Sequence, residues 1–308
     1  MSKVVYITSY GHSGSTLLDM LSGTIPGCFS TGELLWFPWQ IYRNGKMCSK
    51  KQDICSCGKP FTECEVWSKV LSHLFQRTGI DVAKNPFDFA MNILGPIRYG
   101  RQNRTHSILK RLFYETSFQG AGPLWDLALK KRVDLNWFLF EELSKITKSH
   151  WIIDSSKDVA RMAALYRSRP DDVRIIILIR SATGILNSRI KLGIDPQIGL
   201  DKWLNFYNDR VSSVINRLPK DHYMILQYED YVGNPSKARR KIAGFLQLED
   251  PGDNYKILSS ENHLIAGNAM RFRGEIEINY DDEWRKVLSL ENLKLAEHYS
   301  KRLHPFFA

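Results

Sequence analysis

The chain has 308 residues, 43% of them hydrophobic and 25% charged, with 20 Gly and 12 Pro. This is globular composition: it excludes a disordered or collagen-like chain, and the length suits one large α/β domain or two small ones. Lys and Arg number 43 against 33 Asp and Glu, a formal net charge of +10 that points to a nucleotide, polyanion, nucleic acid or membrane surface as partner. Half of the surplus lies between Lys157 and Lys191, where eight basic residues face three acids; the other half lies between Arg98 and Arg111, where five basic residues face none. No run reaches the ~20 apolar residues of a membrane span. The apolar stretch Val4–Ile7 is too short for a signal-peptide core. A soluble, cytoplasmic protein is the expectation.

In chain order, Val4-Val5-Tyr6-Ile7 reads as a buried strand, followed by a Gly/Ser turn and the amphipathic run Leu17-Leu18-Asp19-Met20-Leu21. A second strand is predicted around Cys28 to Ser30, leading into Thr31-Gly32-Glu33. Residues 36–62 are aromatic, Lys-rich and Cys-rich without periodicity, and read as an insert. Helical patterns occupy roughly 64–77, 104–118 and 134–148. Trp151-Ile152-Ile153-Asp154 predicts a third strand, with Ser155-Ser156-Lys157 and a helix through Arg167 after it. Arg174 to Arg180 is apolar throughout its interior, as a central parallel strand should be. A helix starts near Ser181, and Trp203, Phe206, Tyr207, Val211, Val214, Ile215 and Leu218 mark the stripe of a long helix. Tyr223–Leu226 is a further strand, and a helix runs from about Pro235 to Leu246. Alternating strands and helices predict an α/β fold, a mostly parallel sheet with helices on both faces, in a single domain over 1–308 with an insert at 36–150.

Four of the five cysteines cluster as Cys48, Cys55, Cys57 and Cys64. Four thiols so spaced could bind zinc or form disulfides. The C-x-C pair fits the usual C-x2-4-C zinc knuckle poorly, and a cytosolic chain disfavours stable disulfides. Zinc, disulfides and free thiols all stay open, in each case as a structural pin for a loop-rich insert, and no metal-ligating residue is assigned.

Ligands of an open α/β sheet bind beyond the carboxyl ends of the strands. That rule selects residues 9–16, 31–33, 154–157, 180–188 and 228–230. In the first, a Gly/Ser turn between strand and helix offers backbone N–H groups and a positive helix end to an anion, with hydroxyls from Ser13, Ser15 and Thr16. It is not a Walker A loop, which needs G-x-x-x-x-G-K followed by Ser or Thr; here Gly14 precedes Ser15 and the loop holds no Lys. A Mg-dependent NTPase is therefore disfavoured.

At this point the residues resemble the sulfotransferases that use 3′-phosphoadenosine 5′-phosphosulfate (PAPS). Their phosphosulfate loop has Pro or Gly, then Lys or Arg, Ser-Gly, two hydroxyl residues, any residue and Leu; this chain reads Gly11-His12-Ser13-Gly14-Ser15-Thr16-Leu17-Leu18. Their 3′-phosphate site pairs a strand-end Arg with a Ser eight residues on, as Arg180 and Ser188 stand here. Tyr228-Glu229-Asp230-Tyr231 is similar to a segment after a later strand. The stretch from Gly267 through Asn268, Arg271 and Arg273 to Gly274, with Trp284 beyond, is similar to the basic loop that closes over the nucleotide. Cys55-Ser56-Cys57-Gly58 with Cys64 and Trp67 resembles bacterial-type members.

The resemblance implies a P-loop-like fold, PAPS as co-substrate and 3′-phosphoadenosine 5′-phosphate (PAP) as product, with no metal required. It implies that residues 12–16 hold the 5′-phosphosulfate and that Arg180, Ser188, Arg271 and Arg273 hold the 3′-phosphate, with Tyr228 beside the nucleotide. His12 departs from the family's Lys or Arg, and it carries charge only when protonated. Either His12 is held charged by the phosphosulfate, or Lys157 serves as the leaving-group cation. Glu33 is the favoured general base, with His12, His263 and Asp154 in reserve. The expected acceptor is a small molecule or carbohydrate bearing a hydroxyl or amine, its pocket shaped by residues 36–42 and 98–118; nucleic acid and membrane are not expected partners. The competing readings are a small-molecule kinase with a degenerate loop and a non-catalytic polyanion- or nucleic-acid-binding protein.

Overall fold

The computed structural model describes residues 2–41, 54–85 and 123–307, with side chains except at 123–132 and 306. The basic cluster at 98–111, the helical pattern at 104–118, Cys48 and residues 42–53 of the insert lie outside them.

Among the described residues one five-stranded sheet organises the chain. Its strands are β1 (Lys3–Ser9), β2 (Cys28–Ser30), β3 (Trp151–Asp154), β4 (Val173–Ile179) and β5 (Tyr223–Gln227), in the spatial order β2-β3-β1-β4-β5. Every neighbouring pair is parallel. The two-residue period of the pleat sends alternate side chains into two separate cores. Val4, Tyr6, Ile152, Ile175 and Ile177 enter one; Val5, Ile7, Ile153, Ile176 and Leu178 enter the other. Burial on both faces explains why β1 and β4 read as unbroken apolar runs rather than alternating ones.

The second core is closed by α1 (Ser15–Gly23), through Leu17, Leu18, Met20 and Leu21, and by a helix at Pro235–Phe245, through Ala238, Ile242 and Ala243. A short helix α2 (Phe37–Ile41), α3 (Trp67–Thr78) and α4 (Pro123–Thr147) lie with the first core, as do α5 (Val159–Ser168), α6 (Ala182–Lys191) and α7 (Pro196–Asn205). Helices thus cover both faces, as expected. Trp67, Trp137 and Trp203 are almost wholly buried on this larger side, where a fully buried large apolar side chain is worth about 1.5–3 kcal/mol.

Helix starts are capped by side chains, including the two expected near Ser181 and Pro235. Asp158 accepts from the Ala160 and Arg161 N–H groups, and Ser181 accepts from Gly184. Asp195 and Asn234 do the same ahead of Pro196 and Pro235. Two expectations needed correction. The helix expected at 134–148 begins eleven residues earlier, at Pro123. The long helix expected through 203–218 is not regular: α7 passes into a π-helical turn at Phe206–Val211 and then a short α-helical end at Ser212–Ile215. The extra residue of that turn carries Tyr207 inward; its hydroxyl donates to Leu178 O (2.7 Å) and accepts from Tyr10 N (3.2 Å), tying β4 to the loop after β1.

No helix among the described residues is long and apolar enough to cross a membrane.

Candidate active site

Both β3 and β4 flank β1, so the chain leaves the carboxyl end of β1 between two connections that run to opposite sides. A crevice opens at such a switch point, and the loops after all five strands meet there.

The loop after β1 turns sharply. His12 has φ 68° and Gly14 φ 86°. A Cβ on Gly14 would come within 2.6 Å of the Tyr228 ring and the Tyr231 hydroxyl, so only glycine fits between this backbone and the two rings. Tyr231 donates to Gly14 O at 2.9 Å. Tyr228 and Tyr231 begin the helix α8 (Tyr228–Gly233) that follows β5; the Pro235–Phe245 helix is α9. Ser13, Ser15 and Thr16 are buried at the start of α1. Thr16 Oγ1 accepts from Asn268 N (3.0 Å), and a Cβ on Gly267 would lie 2.8 Å from the same oxygen. The start of the 267–273 segment therefore rests directly on the first turn of α1.

Two strand-end cations and one from helix α6 converge. Arg180, directly after β4 and 7% exposed, donates to His12 O at 3.0 Å and to the Asp281 carboxylate at 2.7 Å, with its guanidinium over the Tyr228 ring at 4.4 Å. Arg189 on α6 donates to Gly11 O at 3.2 Å and covers the Tyr10 ring. Lys157, after β3, holds φ 66°, and its Nζ meets Glu33 Oε1 at 2.6 Å. Two of the four non-glycine residues with positive φ among the described residues, His12 and Lys157, thus stand at this site, a backbone state that L-residues adopt at a cost. Partial screening from solvent, then Arg189, Lys157 and Arg180, hold the His12 imidazole below its ordinary value, with Glu33 opposing. The expectation that His12 itself acts as a cation is thereby disfavoured until an anion joins it.

Glu33 lies just past β2. Its second oxygen accepts from Trp36 Nε1 at 3.1 Å, and its backbone N–H donates to Ala266 O. Glu33 and Lys157 are 17% and 20% exposed, so the pair is accessible but largely shielded. Beneath it Asp19, fully buried on α1, accepts from the hydroxyls of Ser30 and Ser155. Burial pushes its carboxyl up to about 7. This group joins α1 to the ends of β2 and β3 and so sets the spacing between the Glu33 and Lys157 segments.

Arg271 is the most buried arginine of the site. It is 4% exposed, its Nε has no hydrogen-bond partner, and it forms no ion pair among the described residues, although Glu33 acts on it from a distance. Burial lowers its guanidinium to about 10. Arg180 Nε and Arg189 Nε are likewise buried and unpartnered. A buried cation in no ion pair, its burial only partly offset by Glu33, is costly unless something anionic comes to it. These orphaned donors, around a loop with free N–H groups at a helix start, fit a multiply charged anion.

The remaining expected residues are placed less directly. Ser188 is half-buried on α6. The Asn268 side chain caps the short turn Ala269–Phe272, and Arg273 is exposed. Asp154 is removed from the reserve bases: it is buried against Arg161 and Ser156. His263 is removed as well, because its Nδ1 faces sulfur, 3.1 Å from Cys64 and 3.7 Å from Cys55. Beyond the residues assigned from the sequence, Cys55, Cys57, Cys64 and His263 bring four potential ligand atoms within 4.8 Å of one another. Chain spacing hid this group because His263 lies 199 residues from Cys64. Sequence reading also missed Arg189, Asp19 and Asp281; the strand-end rule names segments, and Arg189 differs from the nominated Ser188 by one helical step. Of the basic stretch 157–191, Arg161 is neutralised by Asp154, Arg169 by Glu141 and Lys191 by Glu283. Lys157, Arg180 and Arg189 are what reach the crevice.

No family model matches the chain, and no curated protein matches it. Solved structures do. The sulfotransferase domain of the Synechococcus PCC 7002 olefin synthase superposes with a TM-score of 0.51 at 17% identity, over 97% of this chain and 94% of that one. The sulfotransferase domain from the curacin biosynthetic pathway superposes with a TM-score of 0.50 at 15% identity, over 97% of this chain and 98% of that one. The chain has the fold of these sulfotransferase domains.

Proposed function

We propose that the chain transfers the sulfuryl group of PAPS to a hydroxyl or amine of a small-molecule or carbohydrate acceptor. The observation that carries this reading is Arg271, a buried cation with no carboxylate partner among the described residues, held on the segment that rests on the phosphate-type loop. In this reading the N–H groups of residues 12–16 and the Ser/Thr hydroxyls receive the 5′-phosphosulfate. Arg180, Ser188, Arg271 and Arg273 receive the 3′-phosphate, for which guanidinium geometry is suited. Bound PAPS supplies the activated sulfuryl group, and the chain supplies positioning and charge. Lys157 stabilises the leaving phosphate, with Arg189 as a further cation beside Gly11, and Glu33 takes the acceptor's proton. The chain's own cations, rather than a metal ion, carry the charge of the transfer. The insert at 36–150 forms the acceptor side within one domain.

Isothermal calorimetry with PAP tests this directly. One site of micromolar strength is expected; the absence of heat at millimolar PAP would overturn it. ATP with Mg²⁺, which a kinase would prefer, is expected to bind more weakly.

The state of His12 adds a pH signature. Its free-state value lies below the ordinary ~6.5, and a neighbouring phosphate raises it. PAP binding therefore takes up a proton, and affinity should strengthen as pH falls from the bound-state value to the free-state value, then level off. His12→Asn, which tolerates positive φ, should lose this component. The check is the difference in proton uptake between the two proteins, measured in buffers of unlike ionisation enthalpy.

A further inference from the structure

We propose that Cys55, Cys57, Cys64 and His263 form a tetrahedral zinc site that clamps the Cys-bearing insert to the segment leading into Arg271. A Cys₃His zinc site has Zn–S of about 2.3 Å and Zn–N of about 2.0–2.1 Å, which separates ligand atoms by roughly 3.5–3.8 Å. Here the Cys55 and Cys64 sulfurs lie 3.7 and 3.1 Å from His263 Nδ1, and all four ligand atoms fall within 4.8 Å. Three ligands are buried and Cys57 is half-buried, as in a closed structural site rather than an open catalytic one.

The surroundings fit a metal better than free thiols. The other nitrogen of His263, Nε2, lies 3.4 Å from the exposed Glu65 carboxylate, within reach of the outer-carboxylate position that orients zinc-bound histidines. Backbone N–H groups face each sulfur: Cys57 toward Cys55, Lys59 toward Cys57, and Val66 and Trp67 toward Cys64. Soft sulfur ligands in a tetrahedral S₃N set select zinc among the common divalent ions. Binding replaces three thiol protons with one Zn²⁺ and leaves every ligand shared.

The clamp is already shaped by the polypeptide. Ser56 donates to Asn262 O and accepts from Leu264 N, and Trp67 Nε1 donates to His263 O. His263 stands eight residues before Arg271, so the ion would hold the insert and the loop carrying Arg271 as one unit.

The test is metal analysis of the purified full-length protein by mass spectrometry under native conditions, with elemental quantification. One zinc per chain is expected, together with lowered thermal stability after chelation and recovery on adding back zinc. Cobalt exchange is expected to give the sulfur-to-metal charge transfer and strong visible bands of a tetrahedral thiolate site. Cys48→Ser should retain the full equivalent, whereas a site of the four clustered cysteines would lose it. Glu65→Gln, which leaves every ligand in place, should release zinc to a competing chelator about tenfold more readily. Cys57→Ser should lose more. Absence of stoichiometric zinc, iron in its place, or thiol counts under denaturing conditions that reveal a Cys55–Cys64 disulfide would overturn the proposal. PAP binding is not its readout, so it stands or falls apart from the sulfuryl-transfer reading.

Discussion

Replacing Arg271 by methionine is expected to weaken PAP binding at least about thirtyfold while leaving the free protein at least as stable as before. These two effects have opposite signs for one reason. Removing one member of a buried, hydrogen-bonded charge pair weakens binding by about 2–5 kcal/mol, roughly thirty- to several-thousand-fold. In the free protein, however, the Arg271 charge is desolvated and in no ion pair, with Glu33 offsetting only part of that cost, and replacing a buried charge by an apolar side chain of similar volume is often neutral or stabilising. Calorimetry with PAP and urea denaturation of the same sample read both quantities. Loss of stability together with loss of binding would instead make Arg271 a structural residue. Arg180→Ala serves as the contrast. It also removes contacts to His12 O, Asp281 and the Tyr228 ring, so binding and stability are expected to fall together.

The second large effect is expected at Glu33. Glu33→Gln should bind PAP within a few-fold of the parent and lower turnover by about 10²–10⁴, the range of a general base. Glutamine keeps the size of the side chain and can still accept from Trp36 Nε1, but it cannot take a proton. Because Glu33 and Lys157 are paired at 2.6 Å, the substitution also frees the ammonium, which favours the nucleotide's negative charge and keeps PAP affinity from dropping. Steady-state sulfate transfer to a panel of hydroxyl and amine acceptors, with PAP affinity measured alongside, separates the roles. Equal losses in PAP affinity and turnover would assign Glu33 to nucleotide positioning rather than proton transfer.

The parallel sheet was legible in the sequence because strands buried on both faces must be apolar without interruption, and Val173–Ile179 has no other plausible state. The strand-end rule then located the crevice before any contact was visible. Helix starts at Ser181 and Asn234 were readable as well, since capping is a local matter of one side chain and the N–H groups just after it. The π-turn at Phe206–Val211 was not, because the apolar stripe continues through it and the bond between Tyr207 and Leu178 O that uses it spans 29 residues.

By itself, then, the sequence determined the fold class, and it singled out the loop after β1 and the strand-end segments carrying Glu33, Lys157 and Arg180 that the structure brings side by side. These are properties of short segments, governed by periodicity, turn chemistry and strand ends. Tertiary structure decided which charges remain available. Arg161, Arg169 and Lys191 are matched by acids distant in sequence or on other elements, while Arg271 is buried with no such match. It also decided that the cysteines at 55, 57 and 64 gather around a histidine 199 residues beyond the last of them rather than around a fourth cysteine of their own cluster. Pairing and ligand geometry depend on where the sheet brings remote loops together, and no spacing along the chain encodes that distance.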